Sequence, residues 1–472
     1  MAKPPAEDLP TFLNRQAHGD LVTLLLELAQ EHEAVHARLA RLQLADQPDK
    51  LATGFRKTLA AWKRSSKFHG YREAAEFGRA LEAWLDQVER ELLPKDPPAA
   101  LALFQTFIES DDSWFDRADD SGGAIGDAVR AACRHWLRAA ARCETPADVW
   151  PAQVLDLYLA DKHGARDAML RDAGLLLGQA AQRGLVARLD ADLADLVKAW
   201  VATSPAQEEP PPVEVFELSG ALSLLSESLG DPDVKVRATL HYSPDPNPVQ
   251  RQSFARAYLE ADRPADALPW LQGNWDYRDG DRQDLLAEAL EKLGRFDESV
   301  PIRRAKFEQT LSTYGLDRWL RHLAEPARTE ALAQAREFAL AHKNAAAAAT
   351  VLLELGDADA AEEKLLAEPD GIDGGAYGGL VPLAKALRDH NCPRGETAVY
   401  RALLRDVLDR ANTRAYGHAS RYWARLREIA NAGASLLPLP PHEAFEAEIR
   451  ARHARKSSFW AHVNGPHRGS NA

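Results

Sequence analysis

The sequence predicts an all-α fold built from paired helices, and three observations carry that reading. Apolar residues recur at helical spacing along nearly the whole chain, as in Leu101, Phe104 and Ile108, or Tyr400, Leu403, Leu404, Val407 and Leu408. Alternating β-branched runs are confined to two short stretches, Val213 to Phe216 and Val234 to Leu240, so no substantial sheet is expected. The C-terminal half repeats one layout, and at 472 residues the chain exceeds what a single growing core accommodates.

In the N-terminal half the periodicity predicts helices over about 18–43, 50–66, 71–93, 98–110, 124–142, 147–161 and 165–203, the last broken at Gly184, in a bundle or irregular solenoid. The stretch TSPAQEEPPP from Thr203 to Pro212 then reads as a linker, since its prolines stop any helix. A second punctuation, SPDPNP from Ser243 to Pro248, marks the end of a connecting segment. The expected division is an N-terminal helical domain at 9–203, a linker and connecting segment at 204–247, a repeat domain at 248–463 and a disordered tail at 464–472.

The repeat domain rests on FARAYLEADRPADAL, LLAEALEKLGRFDES and ATVLLELGDADAAEE, each an apolar-striped helix, a short polar or glycine turn, and a small residue opening a second helix. Ala267, Ser299, Ala331, Ala361 and Ala398 mark the second helices at separations of 32, 32, 30 and 37 residues. This approximates the tetratricopeptide period of about 34 residues. Such stacks bury a core between neighbours and expose a long surface that binds peptides or proteins. Beyond the last repeat, Gly433 to Pro441 interrupts the pattern with three prolines. His442 to Val463 then reads as one amphipathic helix that docks on the stack through Phe459 and Trp460.

Composition narrows the function classes. The 45% hydrophobic and 27% charged fractions belong to a folded chain, and no apolar run or charged leader marks a membrane or secretory segment, so a cytoplasmic protein is expected. Cys133, Cys143 and Cys392 lack the paired spacing of a zinc site. A formal charge of −13 opposes polyanion binding globally and leaves room for it locally.

Four groups of residues could carry chemistry. His32-Glu33-Ala34-Val35-His36 matches the HExxH pattern, in which two histidines one helical turn apart hold zinc and the glutamate acts as base. Arg38 stands where such helices continue with an apolar residue, and no third ligand has the expected context, so an exposed helix face explains the pattern better and no cofactor is expected. Asp119, Asp120 and Ser121, in the acidic stretch DDSWFDRADDSGG, do not follow the alternation of a calcium loop and are read as caps for the helix beginning near Ala124. From Leu51 to Arg72, six basic residues (Arg56, Lys57, Lys63, Arg64, Lys67, Arg72) meet no acid and are interleaved with Trp62, Phe68 and Tyr71. A similar strip from Ile449 onward carries Arg450, Arg452, Arg455, Lys456 and Arg468. Either strip could contact phosphates while its aromatics stack on bases. The favoured expectation is blander: aromatics in the core, cations facing solvent and balanced by acidic neighbouring helices.

The phrases FDRADDSGGAIGDAVRAA, LEKLGRFDESVPIRRAKFEQTLS, AVYRALLRDVLDRANTRAYGHASRYWARL and IRARHARKSSFWAHV together resemble a bacterial family of helical proteins of unknown function, over about 20–463. The last two phrases also resemble the helical C-terminal part of some bacterial proteins that carry a SWIM-type zinc finger. This chain has no C-x-C element, so that finger is absent and its metal is not carried over. The resemblance implies no established activity and singles out Asp119, Asp120 and Ser121, then Tyr416, His418 and Arg421, then His453, Arg455, Lys456, Phe459 and Trp460. Tyr416 and Trp423 are expected to pack, as are Phe459 and Trp460. The function expected from all this is a non-enzymatic scaffold or adaptor for a protein or peptide partner, with nucleic-acid binding through 51–72 and 449–468 as the alternative and a zinc hydrolase at His32, Glu33 and His36 as the remote one.

Overall fold

The computed structural model describes residues 8–43, 47–203, 210–433 and 435–464. Among them every regular element is helical, and the one β feature is an isolated bridge between His69 and Ala118. No helix among the described residues is long and apolar enough to cross a membrane. The chain forms two compact units, Met1–Gln250 and Arg251–Ala472.

The first unit is organised around Ala124–Ala140, a helix buried on nearly all sides, which packs against Tyr71–Gln87 and Pro97–Ile108. The crossing with Tyr71–Gln87 is close enough to require a glycine: a Cβ on Gly78 would lie 2.8 Å from the Ala124 carbonyl oxygen. Deep in this core Arg166 donates to both carboxylate oxygens of Asp111, at 2.7 and 2.9 Å, and to the carbonyls of Leu157 and Ile108, so the buried charge is fully engaged.

Three expectations for this half need correction. The helix foreseen over 18–43 is two, His18–Glu31 and Glu33–Gln43, separated at His32, whose backbone is extended. The break foreseen at Gly184 lies earlier, where Ala168–Arg171 gives way to a 3-10 turn at Ala173–Leu175. The helix Gln179–Thr203 then runs unbroken through Gly184. An exposed glycine costs a helix only about 1 kcal/mol, less than the burial of Leu185, Val186 and Leu189 returns. Finally, the stretch treated as connecting holds two helices, Val213–Leu229 and Pro232–Tyr242, which pack in the first unit against Gln179–Thr203 and bury Val215, Leu222, Leu225 and Val234. Its β-branched residues tolerate the helix because packing outweighs so weak a propensity. Of the linker, 204–209 lie outside the described residues.

The second unit is a series of helical hairpins. Successive turns at Asp262, Gly294, Gly356 and Asn391 place one residue in the left-handed region. The next amide then reaches back five residues: Arg263 to Tyr258, Arg295 to Leu290, Asp357 to Leu352 and Cys392 to Leu387, each at 2.8 or 2.9 Å. The same closure joins Asp231 to Ser226 behind Gly230. The repeated turn therefore also shapes the hairpin of 213–242, which its small-residue marker did not reveal. First helices pack on first helices, as Ala345–Glu354 on Tyr377–Asp389, and second on second, as Ala358–Ala367 on Pro393–Asp409.

Ala267, Ser299 and Ala361 stand five residues beyond a left-handed turn residue and are buried, as is Ala331 five beyond Pro326. In the next hairpin that place belongs to Glu396, not Ala398, so the true interval from Ala361 is 35 rather than 37. After Tyr416–Asn431 the chain ends in two helices, His442–His453 and Ser457–Asn464, where one was expected. Of the expected tail only Asn464 is described, closing that last helix.

Candidate functional site

A groove in the second unit lies among Tyr377–Asp389, Pro393–Asp409 and Tyr416–Asn431. The first of these helices buries Leu380, Leu383, Ala384 and Leu387, which turns Tyr377 and Val381 outward, Tyr377 being 71% exposed. Pro382, inside the same helix, has no amide to give the Gly378 carbonyl. Tyr400 and Tyr422 face each other with ring centroids 5.3 Å apart, completing an aromatic wall around about 600 Å³.

Beneath the wall Glu396, 2% exposed, holds two guanidinium groups. Arg425 donates to both of its oxygens at 2.9 and 3.0 Å, and Arg388 donates to Oε1 at 2.9 Å and to the Tyr400 hydroxyl at 3.0 Å. The Glu396 bonds hold the Arg425 pKa above its ordinary value, while burial pushes the Tyr400 and Tyr422 hydroxyls up and keeps them as neutral donors. On the rim, exposed Arg421 donates to His418 Nδ1 at 3.0 Å. The groove thus offers ring faces and cationic donors, and its lining holds no serine, threonine or cysteine nucleophile.

The residues singled out in the sequence fall in three places. His418 and Arg421 join the groove. Tyr416, His453, Phe459 and Trp460 form the seam between Tyr416–Asn431 and the C-terminal helices: Phe459 lies 5.8 Å from Tyr416 and 4.8 Å from Trp460, and the Trp460 indole donates to the His453 carbonyl at 3.0 Å. Arg455 is exposed and Lys456 half-buried beside this seam. Asp119, Asp120 and Ser121 lie in the first unit, at the start of Ala124–Ala140. There Asp120 accepts from the amides of Ile125 and Gly126 at 2.8 and 3.0 Å, and Asp119 accepts from the Ser121 hydroxyl at 2.5 Å. Tyr377, Arg388, Glu396 and Arg425 went unnoticed in the sequence. Only the periodic turn could have found Glu396, by its place five residues after Asn391.

His32 stands at the start of the helix that carries His36: its carbonyl accepts from the His36 amide at 3.1 Å, but its own backbone is extended, with φ −128° and ψ 108°, so its side chain leaves the helix in another direction than that of a residue inside it. Two other groupings bring ligand-type atoms together. In one, Asp112 accepts from Lys162 and pairs with His163, both at 2.8 Å, while Asp111 is engaged by Arg166. In the other, buried His135 has Glu89 Oε2 3.3 Å from Nδ1 and Asp86 Oδ1 3.6 Å from Nε2, so the carboxylates flank the ring rather than converge on one nitrogen. Burial pulls the His135 pKa down.

The fold is that of an all-α helical-hairpin repeat protein. The chain belongs to the family of unknown function DUF6880, whose profile matches residues 13–462. No curated protein sequence matches it. Among solved structures it is similar to a circular tandem repeat protein with novel repeat topology and enhanced subunit contact surfaces, at 12% identity over 93% of each chain. The TM-score is 0.19, too low for that likeness to carry any argument.

Proposed function

We propose that the protein is a non-enzymatic cytoplasmic scaffold whose second unit binds a segment of a protein or peptide partner in the Tyr377–Arg421 groove. The observation that supports this is the pairing of an aromatic wall, exposed at Tyr377 and set into the groove at Tyr400 and Tyr422, with a floor fixed by the Arg388, Glu396 and Arg425 clamp. Rigid aromatics beside arginine are the composition of interaction hot spots, because they bury much area at little cost in side-chain entropy. Helical-hairpin stacks use such surfaces for peptides.

The test is selection from a random peptide library against the full chain, followed by titration of the enriched peptides into the wild type and into Tyr377→Ala and Arg421→Glu. Both side chains are exposed, so melting temperatures should hold while affinity falls at least tenfold. Enriched peptides that bind both variants as tightly as the wild type would place the binding surface elsewhere.

A further inference from the structure

The basic strip of the first unit does not have the ordinary arrangement expected of it. Helix Pro48–Arg64 buries Leu51, Ala52, Phe55 and Leu59, and its other face carries Lys50, Lys57 and Arg64 in one line at seven-residue intervals, with Arg56 and Lys63 in the line beside it, which Asp49 opens in the first turn. The five cationic side chains are all exposed, and with a rise of about 1.5 Å per residue they extend over about 21 Å. Acidic neighbours were expected to balance them. Among the described residues no ion pair engages Arg56, Lys57, Lys63, Arg64 or Arg72, and the strip's one pair is Lys67 with Glu73 at 3.7 Å. Nor are the aromatics all core. Trp62 packs against Phe77 and Trp84, whereas Phe68 and Tyr71 are 60% and 64% exposed.

Two further contacts make the strip a built surface. The segment carrying Phe68 is pinned by His69, whose amide donates to the Arg117 carbonyl at 2.7 Å, whose carbonyl accepts from Asp119 at 2.9 Å, and whose ring stacks on Phe77 at 4.3 Å. The negative end of the helix is neutralised from below, because the Arg117 guanidinium donates to the carbonyls of Trp62 and Lys63. Lys63 and Arg64 therefore keep their charge for a partner outside the chain.

We propose that this face binds single-stranded nucleic acid, the phosphates following Arg56, Lys57, Lys63, Arg64 and Arg72 and the bases stacking on Phe68 and Tyr71. Charge complementarity selects a polyanion, and the exposed rings select one with unpaired bases, since a duplex offers its phosphates but keeps its base faces stacked. The net charge of −13 restricts attraction to this strip, so binding depends steeply on salt.

The experiment uses the full chain and a fluorescein-labelled 20-nucleotide oligothymidylate, read by anisotropy from 50 to 200 mM salt. Five phosphate contacts on a single strand give a slope of log affinity against log salt of about −3.5. Arg56→Glu with Lys63→Glu and Arg64→Glu should weaken binding at least 100-fold. Phe68→Ala with Tyr71→Ala should weaken it about tenfold and leave the salt slope unchanged, a result that separates stacking from charge. Arg455→Glu with Lys456→Glu should change nothing. All the substituted side chains but Lys456 are exposed, and circular dichroism of each variant checks its fold. The proposal is overturned by absence of binding at 50 mM salt, by equal binding of the charge-reversed variant, or by a 20-base-pair duplex or anionic phospholipid vesicles binding more tightly than the oligothymidylate. It is independent of the peptide groove, which lies in the other unit.

Discussion

The two basic strips of this protein look alike on paper and meet different surroundings. Both interleave cations with aromatics and contain no acid of their own. In the C-terminal strip the aromatics go inward, Phe459 being 0% exposed and Trp460 half-buried, and Arg450 and Arg452 follow them. Arg450 sits 4.8 Å over the Trp460 ring, 5.6 Å over Trp423 and 3.6 Å from Glu446, and Arg452 pairs with Asp409 at 3.1 Å. In the N-terminal strip five cations have no ion-pair partner among the described residues, and two of three aromatics face outward. The difference lies in the neighbour. Tyr416–Asn431 and Pro393–Asp409 offer the C-terminal helices a tryptophan and an aspartate, whereas among the described residues no acid pairs with Arg56, Lys57, Lys63 or Arg64 on the outer face of Pro48–Arg64. A charge pattern therefore gains its meaning from the surface it meets: in the second strip Arg450 and Arg452 are engaged within the chain, Arg455 and Lys456 have no ion pair among the described residues, and Arg468 lies outside them.

The sharpest way to break this comparison is to remove the aromatic seam. Phe459→Ala should cost the second unit about 3–5 kcal/mol, as fully buried phenylalanines do, and truncation before His442 should expose Tyr416 and Trp423 and cause aggregation on heating. Differential scanning calorimetry would measure both. A truncated chain that stayed monomeric with an unchanged melting profile would refute the capping role.

Acid provides the next test. Burial chiefly, with Lys456 and Arg452 beside it, holds the His453 pKa below its ordinary value, against the opposing pull of Asp409 and Glu448. A histidine depressed in the folded state contributes stability that is present above its unfolded pKa of about 6.5 and is lost as pH falls through the folded value. The melting temperature of the second unit should accordingly drop between pH 7.5 and 5.5, and His453→Gln should shrink that drop. His442 titrates in the same direction in the same unit, its pKa also lowered by burial, so the drop should shrink without disappearing. An identical pH profile in the variant would exclude His453 as a contributor.

Smaller effects complete the contrast. Arg450→Ala should lose about 1 kcal/mol, because the guanidinium covers two indole rings; a loss within error would reduce that stacking to a bystander. Phe68→Ala, Tyr71→Ala and the charge reversals at Arg56, Lys63 and Arg64 should each move stability by less than about 0.5 kcal/mol in urea unfolding. A large destabilisation by either aromatic variant would return that ring to the core and remove the stacking half of the nucleic-acid proposal.

Much of this architecture is written locally. Helical spacing of apolar residues sets the fold class, and the turn residues Gly294 and Gly356 with the small residues Ala267, Ser299, Ala331 and Ala361 set the hairpin period, because a turn and the close approach behind it each require particular residues at fixed offsets. The caps at Ala124 were legible for the same reason, since Asp120 bonds amides only five and six residues away.

What depended on distant contacts was decided only by the tertiary structure. Val213–Leu229 and Pro232–Tyr242 fold as helices because Gln179–Thr203 gives Val215, Leu222 and Val234 a surface to bury against, which no window of sequence displays. Glu396 serves as the floor of a groove because Arg388 and Arg425 arrive from two other helices. His32 leaves the helical line at a break that its apolar neighbours did not signal. The fate of each cationic strip likewise turned on acids and rings far away in sequence. Periodicity reports which face of a helix is apolar; burial and ion pairing are properties of two surfaces, and only folding brings the second one into place.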